Sequence, residues 1–306
     1  MELLYRLLYQ GFRLTVLILP EPLLILKVKV WACLFYWFDI PHRKLIYTNL
    51  DFAYGDTMPK REKRRIAGRV YQTLLFNLVN FVKTLNVTPE TLERMVRFKN
   101  DEAFQAAVDA GEPIVLITGH YGNWELVQLA ISAKYRPMTS VGRPLDSAYL
   151  DRVVMRHRHQ VGNRVLKQEG AIRELMKVLQ NGGLAGLIVD QNTSRKVGIT
   201  TEFFGKSAVH HTSAAMLARR FNARIFPVFM TTTDFKTYEA VFMDPVITPR
   251  TDNADADIAR SVQAQADATE LAIRLKPDEW FWFHKRWKRW YPGVYGIVRK
   301  KRRSKG

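Results

Sequence analysis

The chain has 306 residues, of which 47% are hydrophobic and 25% charged, a composition that predicts a packed globular core and excludes an intrinsically disordered protein. The length allows one large domain or two small ones. A single cysteine, Cys33, excludes an intrachain disulfide and suits a reducing compartment. The net charge of +18 indicates either a generally basic surface or an anionic partner.

Residues 1–40 predict an N-terminal membrane-associated helical element. Pro20 and Pro22 break its apolar sequence, and neither apolar segment reaches the roughly 20 residues that a spanning helix needs. A continuous span would also bury a glutamate or lysine at a cost of about 3 kcal/mol. We expect interfacial or partly inserted helices; the alternatives are a single span with snorkelling lysines and a pair of core helices. Residues 41–306 are expected to form a single catalytic domain.

Residues 60–95 have the pattern of an amphipathic helix, with apolar side chains recurring through Tyr71, Leu74 and Leu78. A basic cluster precedes this stretch and consists of Lys60, Arg61, Lys63, Arg64 and Arg65. The cluster is either a solvated helix face or a contact surface for an acidic carrier protein or for lipid headgroups.

Strands and helices alternate between residues 100 and 250. The expected strands are 114–118, 138–141, 184–189, 225–231 and 238–242. The expected helices are 123–133, 148–161, 171–180 and 211–221, followed by a long helix over 258–275 that Pro277 ends. This alternation predicts an α/β fold with a largely parallel sheet, in which functional sites form at the carboxyl ends of the strands.

The most informative segment, GHYGNWE, lies between an expected strand and an expected helix. His120 follows the strand directly, Asn123 is a good N-cap, and Glu125 falls in the first helical turn, where a carboxylate is favoured. At such a turn the histidine and the glutamate can meet. A histidine that a carboxylate orients is a general base, and no Gly-x-Ser-x-Gly nucleophile accompanies it. We therefore predict a base that activates a hydroxyl of the substrate; the alternative is a buried, hydrogen-bonded histidine.

Further polar residues follow the expected strands. Asp190 leaves its strand at the same edge as His120, where it could orient Arg164, hold an acceptor sugar or cap the next segment. Arg143 also follows a strand, and Arg158 lies near the end of the next helix. Guanidinium groups suit the phosphates of a lipid headgroup or of a carrier's phosphopantetheine arm; a surface salt bridge is the alternative for each arginine.

The C-terminal segment after Glu279 has ten lysines and arginines and no acidic residue. Trp287 and Trp290 alternate with four of these cations, a pattern typical of an anionic bilayer interface. Nucleic acid is a rival partner, but no helix-turn-helix, zinc-finger or ribonucleoprotein motif supports it. His157 and His159 cannot share a helical face and have no ligand cluster beside them, so we predict no metal.

His120 and Glu125 match the His-x4-Asp/Glu signature of glycerolipid acyltransferases, and the wider pattern resembles one branch, the lipid A biosynthesis (lauroyl/myristoyl) acyltransferases. The resemblance runs from about residue 47 to residue 291. Its further motifs are 142–146, 162–164, 170–175, 189–192, 203–205, 227–229 and 280–287. The histidine–glutamate spacing alone is a weak signal, whereas the ordered set is specific. The N-terminal segment departs from the family, in which this region is commonly a cleaner membrane anchor.

The resemblance implies a glycerolipid-acyltransferase-like fold, in which helices flank a central, mostly parallel sheet. It implies transfer of an acyl chain from an acyl carrier protein thioester to a hydroxyl of a lipid A precursor. His120 would be the general base, oriented by Glu125, and backbone N–H groups near Gly122 and Asn123 would hold the oxyanion. The expected substrate-binding residues are Arg143, Arg158, Arg164, Asp190, Gln191 and Asn123.

The partners that the resemblance implies are acyl carrier protein, an anionic membrane lipid surface and a lipid A precursor at the cytoplasmic face of the bacterial inner membrane. It implies no cofactor beyond the acyl donor. From the residues themselves we expect neither a metal nor a nucleic-acid partner. Two other functions stay open. One is the same chemistry on another phosphoglycolipid or a lysophospholipid, with acyl carrier protein or coenzyme A as the acyl carrier. The other is a non-catalytic membrane-binding protein.

Overall fold

The structure, a computed structural model, describes residues 1–297. The basic residues predicted to meet lipid between Arg299 and Lys305 lie outside the described residues. The helices are α1 (Glu2–Ile18), α2 (Glu21–Phe38), α3 (Ile40–Tyr54), α4 (Lys60–Lys83), α5 (Pro89–Met95), α6 (Glu102–Asp109), α7 (Trp124–Lys134), α8 (Ala148–Arg158), α9 (Ala171–Gln180), α10 (Ser213–Phe221) and α11 (Ala254–Leu275). The strands are β1 (Val96–Lys99), β2 (Ile114–Thr118), β3 (Met138–Gly142), β4 (Arg164–Lys167), β5 (Leu184–Ile188), β6 (Gly198–Phe203), β7 (Lys206–His211), β8 (Arg224–Thr231) and β9 (Tyr238–Phe242).

Seven strands form one sheet in the order β1-β9-β8-β2-β5-β3-β4, and β6 and β7 form a separate antiparallel hairpin. The run from β8 to β4 is parallel, and β9 is antiparallel to β8. Every residue of the central strand β2 is buried. Its alternate side chains, Ile114 and Leu116 on one face and Val115 and Ile117 on the other, enter two different cores. The predicted α/β fold with helices on both faces of a mostly parallel sheet is confirmed.

The strands that the sequence pattern misses are β1, β4, β6 and β7. β1 and β4 lie at the two edges of the sheet, and each exposes two of its four residues. An edge strand has less apolar surface to bury, so it lacks the continuous hydrophobic run that marks β2 and β5. The β6–β7 hairpin turns through Phe204 and Gly205, both with positive φ, without the Asn-Gly or Asp-Gly pair that usually identifies such a turn.

The N-terminal helices α1 and α2 form a helical pair that packs on α4. The helical conformation is interrupted between them, as the prolines predict. Leu19 is extended, and Pro20 precedes the first residue of α2. Val16, Leu24 and Val28 face the protein and are buried. The opposite side of the pair exposes apolar side chains along its length: Leu3, Leu7, Leu14, Leu17, Leu23, Leu26, Val30, Trp31, Leu34 and Trp37. Within residues 1–297, no helix has the length and apolar content that crossing a membrane requires.

Several residues predicted to lie on the surface are buried, and Arg286 of the basic C-terminal segment is one of them, with 0% exposure. Trp287 is 0% exposed, so its predicted place at a bilayer interface is wrong; its ring packs into an aromatic core. Lys63, a member of the predicted basic cluster, is 6% exposed and donates to Asp51 and to the carbonyl oxygen of Gly55. These side chains satisfy internal packing or hydrogen bonds, which a pattern of residue types does not reveal.

Candidate active site

His120 and Asp190 meet at the carboxyl edge of the sheet. β2 and β5 pair in parallel with Thr118 opposite Ile188, so the residues two positions later, His120 and Asp190, leave the sheet side by side. Nδ1 of His120 lies 2.8 Å from Oδ1 of Asp190. The sheet register therefore places both side chains at the edge that the strand pattern predicted.

Two glycines let the loop after β2 lie close to its neighbours. A Cβ on Gly119 would lie 3.0 Å from Oδ2 of Asp190, so a side chain there would push the carboxylate away. Gly122 has a φ of +52°, and a Cβ there would lie 1.7 Å from the carbonyl oxygen of Met230. Close backbone approach thus holds His120 against Asp190.

Asp190 is fully buried and accepts three hydrogen bonds. Oδ1 accepts from Nδ1 of His120, while Oδ2 accepts from the backbone N–H of His120 and from the indole N–H of Trp280, all at 2.8 Å. Because Nδ1 faces a carboxylate, it carries the ring proton, and Nε2 is left as the basic nitrogen. The carboxylate thereby fixes both the tautomer and the direction of the imidazole.

Glu125 pairs with Arg158 instead of with His120, so the prediction that Glu125 orients the histidine is wrong in this structure. Nε and Nη2 of Arg158 donate to the two carboxylate oxygens of Glu125 at 2.8 and 2.5 Å. Glu125 lies in the first turn of α7, and Arg158 is the last residue of α8. The turn brings the glutamate to the end of another helix, and the bidentate pair uses both of its oxygens.

Neighbouring charges set the protonation of the histidine–aspartate pair. Burial alone lowers the pKa of His120, but the charge and hydrogen bond of Asp190, together with the charge of Glu125, raise that pKa above its ordinary value. Burial alone raises the pKa of Asp190, but the charge and hydrogen bond of His120, followed by His284 and Trp280, hold it well below its usual range. Asp190 is therefore ionised and makes His120 a stronger base.

The donors beside His120 differ from those expected. The backbone N–H of Gly122, predicted to hold an oxyanion, donates instead to the carbonyl oxygen of Glu279 at 2.8 Å. The side chain of Gln191 lies next to the basic nitrogen, with its Nε2 3.3 Å from Nε2 of His120. Since Nε2 of the neutral imidazole accepts, the Gln191 amide donates.

The other predicted substrate-binding residues are dispersed. Arg143 is exposed in the loop after β3, at the same edge of the sheet as His120. Arg164 begins the edge strand β4 and lines up with Val115 across the sheet, nearer the opposite ends of the strands. Asn123 is the N-cap residue of α7 and is only 4% exposed. The predicted residues that the structure gathers around His120 are Glu125, Arg158, Asp190 and Gln191.

Two aromatic side chains pack near the imidazole ring of His120. The ring centroids of Trp124 and Phe281 lie 5.2 and 6.1 Å from that of His120 and 5.9 Å from each other. A small cavity behind them is lined in part by Val70 and Leu74 of α4. The base therefore has a polar side, formed by Asp190 and Gln191, and an apolar side.

Trp280 is a residue of the site that the sequence reasoning missed. The motif 280–287 contributes to the family resemblance without indicating a role for this tryptophan, whose side chain is 1% exposed and donates to Asp190. An isolated bridge between Tyr121 and Trp280 also ties the C-terminal segment to the loop that carries His120. The available signal was the short apolar run WFWF, which is consistent with a buried, extended segment.

The remaining histidines form no metal centre in the part of the chain that the structure describes, where no group of three or more His, Cys, Asp or Glu side chains is arranged to hold an ion. His157 is buried, with Nε2 2.8 Å from the Thr84 hydroxyl and its ring stacked on Phe81. These contacts give it a structural role. The expectation that the protein uses no metal stays a prediction.

A histidine base with its carboxylate at the carboxyl edge of a parallel sheet defines an α/β protein equipped to activate a hydroxyl. The chain belongs to the bacterial lipid A biosynthesis acyltransferase family, whose model matches residues 2–289.

Several known proteins are similar to this chain. The phosphatidylinositol mannoside acyltransferase of Mycolicibacterium smegmatis is 27% identical over 187 residues, which are 60% of this chain and 59% of that protein. The protein of the same name from Mycobacterium tuberculosis H37Rv is 25% identical over 186 residues, 60% of this chain and 57% of that protein. The lipid A biosynthesis lauroyltransferase of Escherichia coli K12 is 21% identical over 253 residues, 82% of this chain and 80% of that protein. The chain thus covers less than two thirds of the length of the mycobacterial proteins.

Proposed function

We propose that this protein transfers a fatty acyl chain from the thioester of an acyl carrier protein to a hydroxyl of a lipid A precursor. The observation that carries the proposal is the buried Asp190 on Nδ1 of His120, which leaves Nε2 as the basic nitrogen. A thioester is already activated, so its acyl transfer needs only a base and stabilisation of charge. Membership of the lipid A acyltransferase family supports the class of acceptor.

In the proposed reaction the acceptor hydroxyl replaces Gln191 beside Nε2 of His120. The hydroxyl oxygen attacks the thioester carbonyl carbon and forms the C–O bond while its proton passes to Nε2. The carbonyl π electrons move to the oxygen, giving a tetrahedral oxyanion. As the oxyanion collapses the C–S bond breaks, and the thiolate takes the proton back from Nε2. Asp190 stabilises the imidazolium between these two transfers.

The oxyanion requires a hydrogen-bond donor other than the Gly122 N–H, which is already used. We assign this role to the side-chain amide of Gln191. Its Nε2 lies 3.3 Å from Nε2 of His120, close to where the attacking hydroxyl must sit. A short rotation of the exposed glutamine would carry the donor from the histidine to the adjacent oxyanion.

Arginines supply the anion-binding side of the proposed site. Arg143 is exposed at the edge of the sheet that carries His120, and its guanidinium group suits a phosphate of the acceptor or of the carrier's arm. Arg158 is partly engaged by Glu125, so it is held at a fixed place beside the base. Arg164 is not part of this proposal, because it begins a strand nearer the other end of the sheet.

The surface of α1 and α2 that exposes apolar side chains is proposed to rest on the cytoplasmic face of an anionic membrane. Leu7, Leu14 and Leu17 recur at helical spacing and are more than half exposed. Lys27 and Lys29 are also exposed on this helical pair. A helix of this kind lies in the interface with its leucines among acyl chains and its cations near anionic headgroups.

The acyl donor is proposed to be a thioester of acyl carrier protein, without a further cofactor. The net charge of +18 favours the approach of an acidic carrier. The acyl chain is expected to lie against Trp124 and Phe281, where the apolar side of the site continues towards Val70 and Leu74.

A second acceptor is supported by the mycobacterial relatives, which are named phosphatidylinositol mannoside acyltransferases and have the higher percentage identity to this chain. An inositol phosphoglycolipid would present the same two features as a lipid A precursor, a sugar hydroxyl for His120 and a phosphate for Arg143. On this alternative the base and the membrane surface are unchanged.

A comparison of donors and acceptors tests the proposal. The purified full-length protein in detergent is given lauroyl, myristoyl or palmitoyl chains on acyl carrier protein or on coenzyme A. The acceptors are a tetra-acylated lipid A precursor and a phosphatidylinositol mannoside, and products are weighed by mass spectrometry. We expect one added acyl chain on the lipid A precursor, from the carrier protein. Acylation of the mannoside alone would establish the second acceptor, and no product from any pairing would contradict both.

A further inference from the structure

Arg286 is a fully buried cation behind the candidate active site. Its side chain has 0% exposure, although guanidinium groups almost never lose all contact with solvent without a charged partner. Nη1 donates to the carbonyl oxygen of Val209 at 2.9 Å, and Nη2 lies 2.6 Å from Nε2 of His210. These neutral acceptors satisfy hydrogen bonds but do not balance a positive charge.

No carboxylate among residues 1–297 lies within the 4.0 Å of an ion pair with Arg286. The acidic groups whose charges act on it are Asp190 and Tyr295. Burial raises the pKa of the Tyr295 phenol to about 12, so that group is neutral near pH 7. Of these two groups Asp190 is therefore the ionised one. The groups that lower the pKa of Asp190 most are His120, followed by His284 and Trp280.

One dry aromatic cluster holds both charges. Trp280 donates to Asp190 and packs 5.9 Å from Phe203, and the guanidinium carbon of Arg286 lies 5.1 Å from the centroid of the same Phe203 ring. The Phe203 and Trp280 side chains are at most 1% exposed. In such a medium charge interactions act over longer distances than in water, because few mobile dipoles screen them.

The other titratable groups around the pair do not supply a fixed positive charge. Burial lowers the pKa of His284 to about 4, and burial with the charge of Arg286 lowers that of His210 well below its ordinary value. Both histidines are neutral near pH 7. Burial lowers the pKa of Arg286 only to about 10, so Arg286 keeps its charge. On the solvent side of His120, Glu125 and Arg158 offset one another through their bidentate pair.

We infer that Arg286 is the fixed counter-charge of Asp190, a positioning residue that stabilises the ionised carboxylate at Nδ1 of His120 from within the same aromatic cluster. Its consequence for catalysis rests on the proposed function, whereas the charge pairing does not. A buried carboxylate without a counter-ion takes up a proton or moves towards water, and either change removes the group that sets the tautomer of His120.

A double-mutant cycle tests the pairing through thermal stability. Melting temperatures are measured for the full-length wild type, Asp190→Asn, Arg286→Met and the double variant in the same detergent. Each single variant leaves one buried charge uncompensated, whereas the double variant buries none. We expect the loss in the double variant to be smaller than the sum of the single losses by about 2 °C or more. If Arg286→Met alone does not fold, folding of the double variant supports the pairing.

The matched control is Arg219→Met, which removes a partly buried arginine that pairs with Asp257 at 3.0 Å between α10 and α11. Its loss should add to that of Asp190→Asn. Additive losses for Arg286→Met as well, or a double variant that fails to fold while Asp190→Asn folds, would mean that Arg286 only packs the core.

Activity gives a second readout. Arg286→Lys keeps the charge and should retain kcat within about tenfold, while Arg286→Met should lose more than that at unchanged KM. Equal loss in the two variants would show that shape, and not charge, is required. A protein without acyl-transfer activity would refute the proposed function. The melting temperatures would still test the charge pairing between Asp190 and Arg286.

Discussion

Asp190 accepts hydrogen bonds from both Nδ1 and the backbone N–H of the same residue, His120. The two residues occupy equivalent positions beyond adjacent, in-register strands, so the rigid sheet fixes their separation. Gly119 permits the close approach, since any Cβ there would meet the carboxylate. A base built this way needs no rearrangement to adopt its reactive tautomer.

The first expectation concerns pH. Burial alone lowers the pKa of His120, but Asp190 and Glu125 raise it above its ordinary value, and only the neutral imidazole accepts a proton. The kcat/KM of acyl transfer should therefore rise with pH and reach half its maximum above about pH 6.5. A midpoint below that value in the pH–rate profile would contradict the charge environment described for the site.

Asp190→Asn should lower kcat about 10²- to 10⁴-fold, because an amide does not hold the ring in the reactive tautomer or stabilise the imidazolium. The midpoint of the pH–rate profile should move downward, since the carboxylate that raises the pKa of His120 is gone. Asp244→Asn, at a site remote from His120, is the control and should leave both quantities unchanged. An unaltered kcat in Asp190→Asn would exclude the aspartate from catalysis.

Glu125 and Arg158 should behave as one unit. Glu125→Gln frees a cation beside the base, and Arg158→Gln leaves a partly buried carboxylate without its partner, so each change should lower kcat/KM by about tenfold or more. The double variant should be no worse than the worse single variant. If the two losses in kcat/KM multiply in the double variant, Glu125 and Arg158 have separate roles. Arg152→Gln, on the exposed face of α8, is the control and should leave kcat/KM unchanged.

Gln191→Ala should reduce kcat about 10²-fold at nearly constant KM, since the amide is proposed to bind charge that exists only in the transition state. Gln191→Glu should be at least as poor, because a carboxylate cannot donate to an oxyanion. Gln180→Ala, at the exposed end of α9, controls for surface changes. An increase in kcat in Gln191→Ala would show that the glutamine only covers the histidine.

The apolar surface of α1 and α2 should bind membranes. Leu7→Glu and Leu17→Glu place charges where 61% and 56% exposed leucines stand, and should weaken flotation with phosphatidylglycerol vesicles about tenfold or more. Ile247→Glu changes an isoleucine that is 72% exposed elsewhere and should float like the wild type. Equal flotation of all the proteins would remove the N-terminal pair from the binding surface.

The central part of the fold could be predicted because its strands are buried on both faces. β2 and β5 are short apolar runs, and the turn after each carries a polar residue, which is why His120 and Asp190 could both be assigned to the carboxyl edge. The edge strand β4 offers no such run, so the sequence pattern does not indicate that Arg164 begins a strand.

The partners within the site could not be predicted from spacing. The contact between His120 and Asp190 depends on the pairing of two strands that are 70 residues apart in the chain, which no local pattern records. Glu125 is near the histidine in sequence, but α8 ends at Arg158 and brings a cation that takes both of its oxygens. The environment of Trp280 and Arg286 depends on the same long-range packing.

The most direct measurement is a single turnover of acyl transfer to the lipid A precursor, with products weighed by mass spectrometry for the wild type, His120→Ala and His159→Ala. His159 is exposed just after α8 and serves as the matched histidine control. We predict a mass gain of one acyl chain with the wild type and with His159→Ala, and a rate at least about 10³-fold lower with His120→Ala. Acyl transfer at the wild-type rate by His120→Ala would contradict the proposal that His120 is the general base.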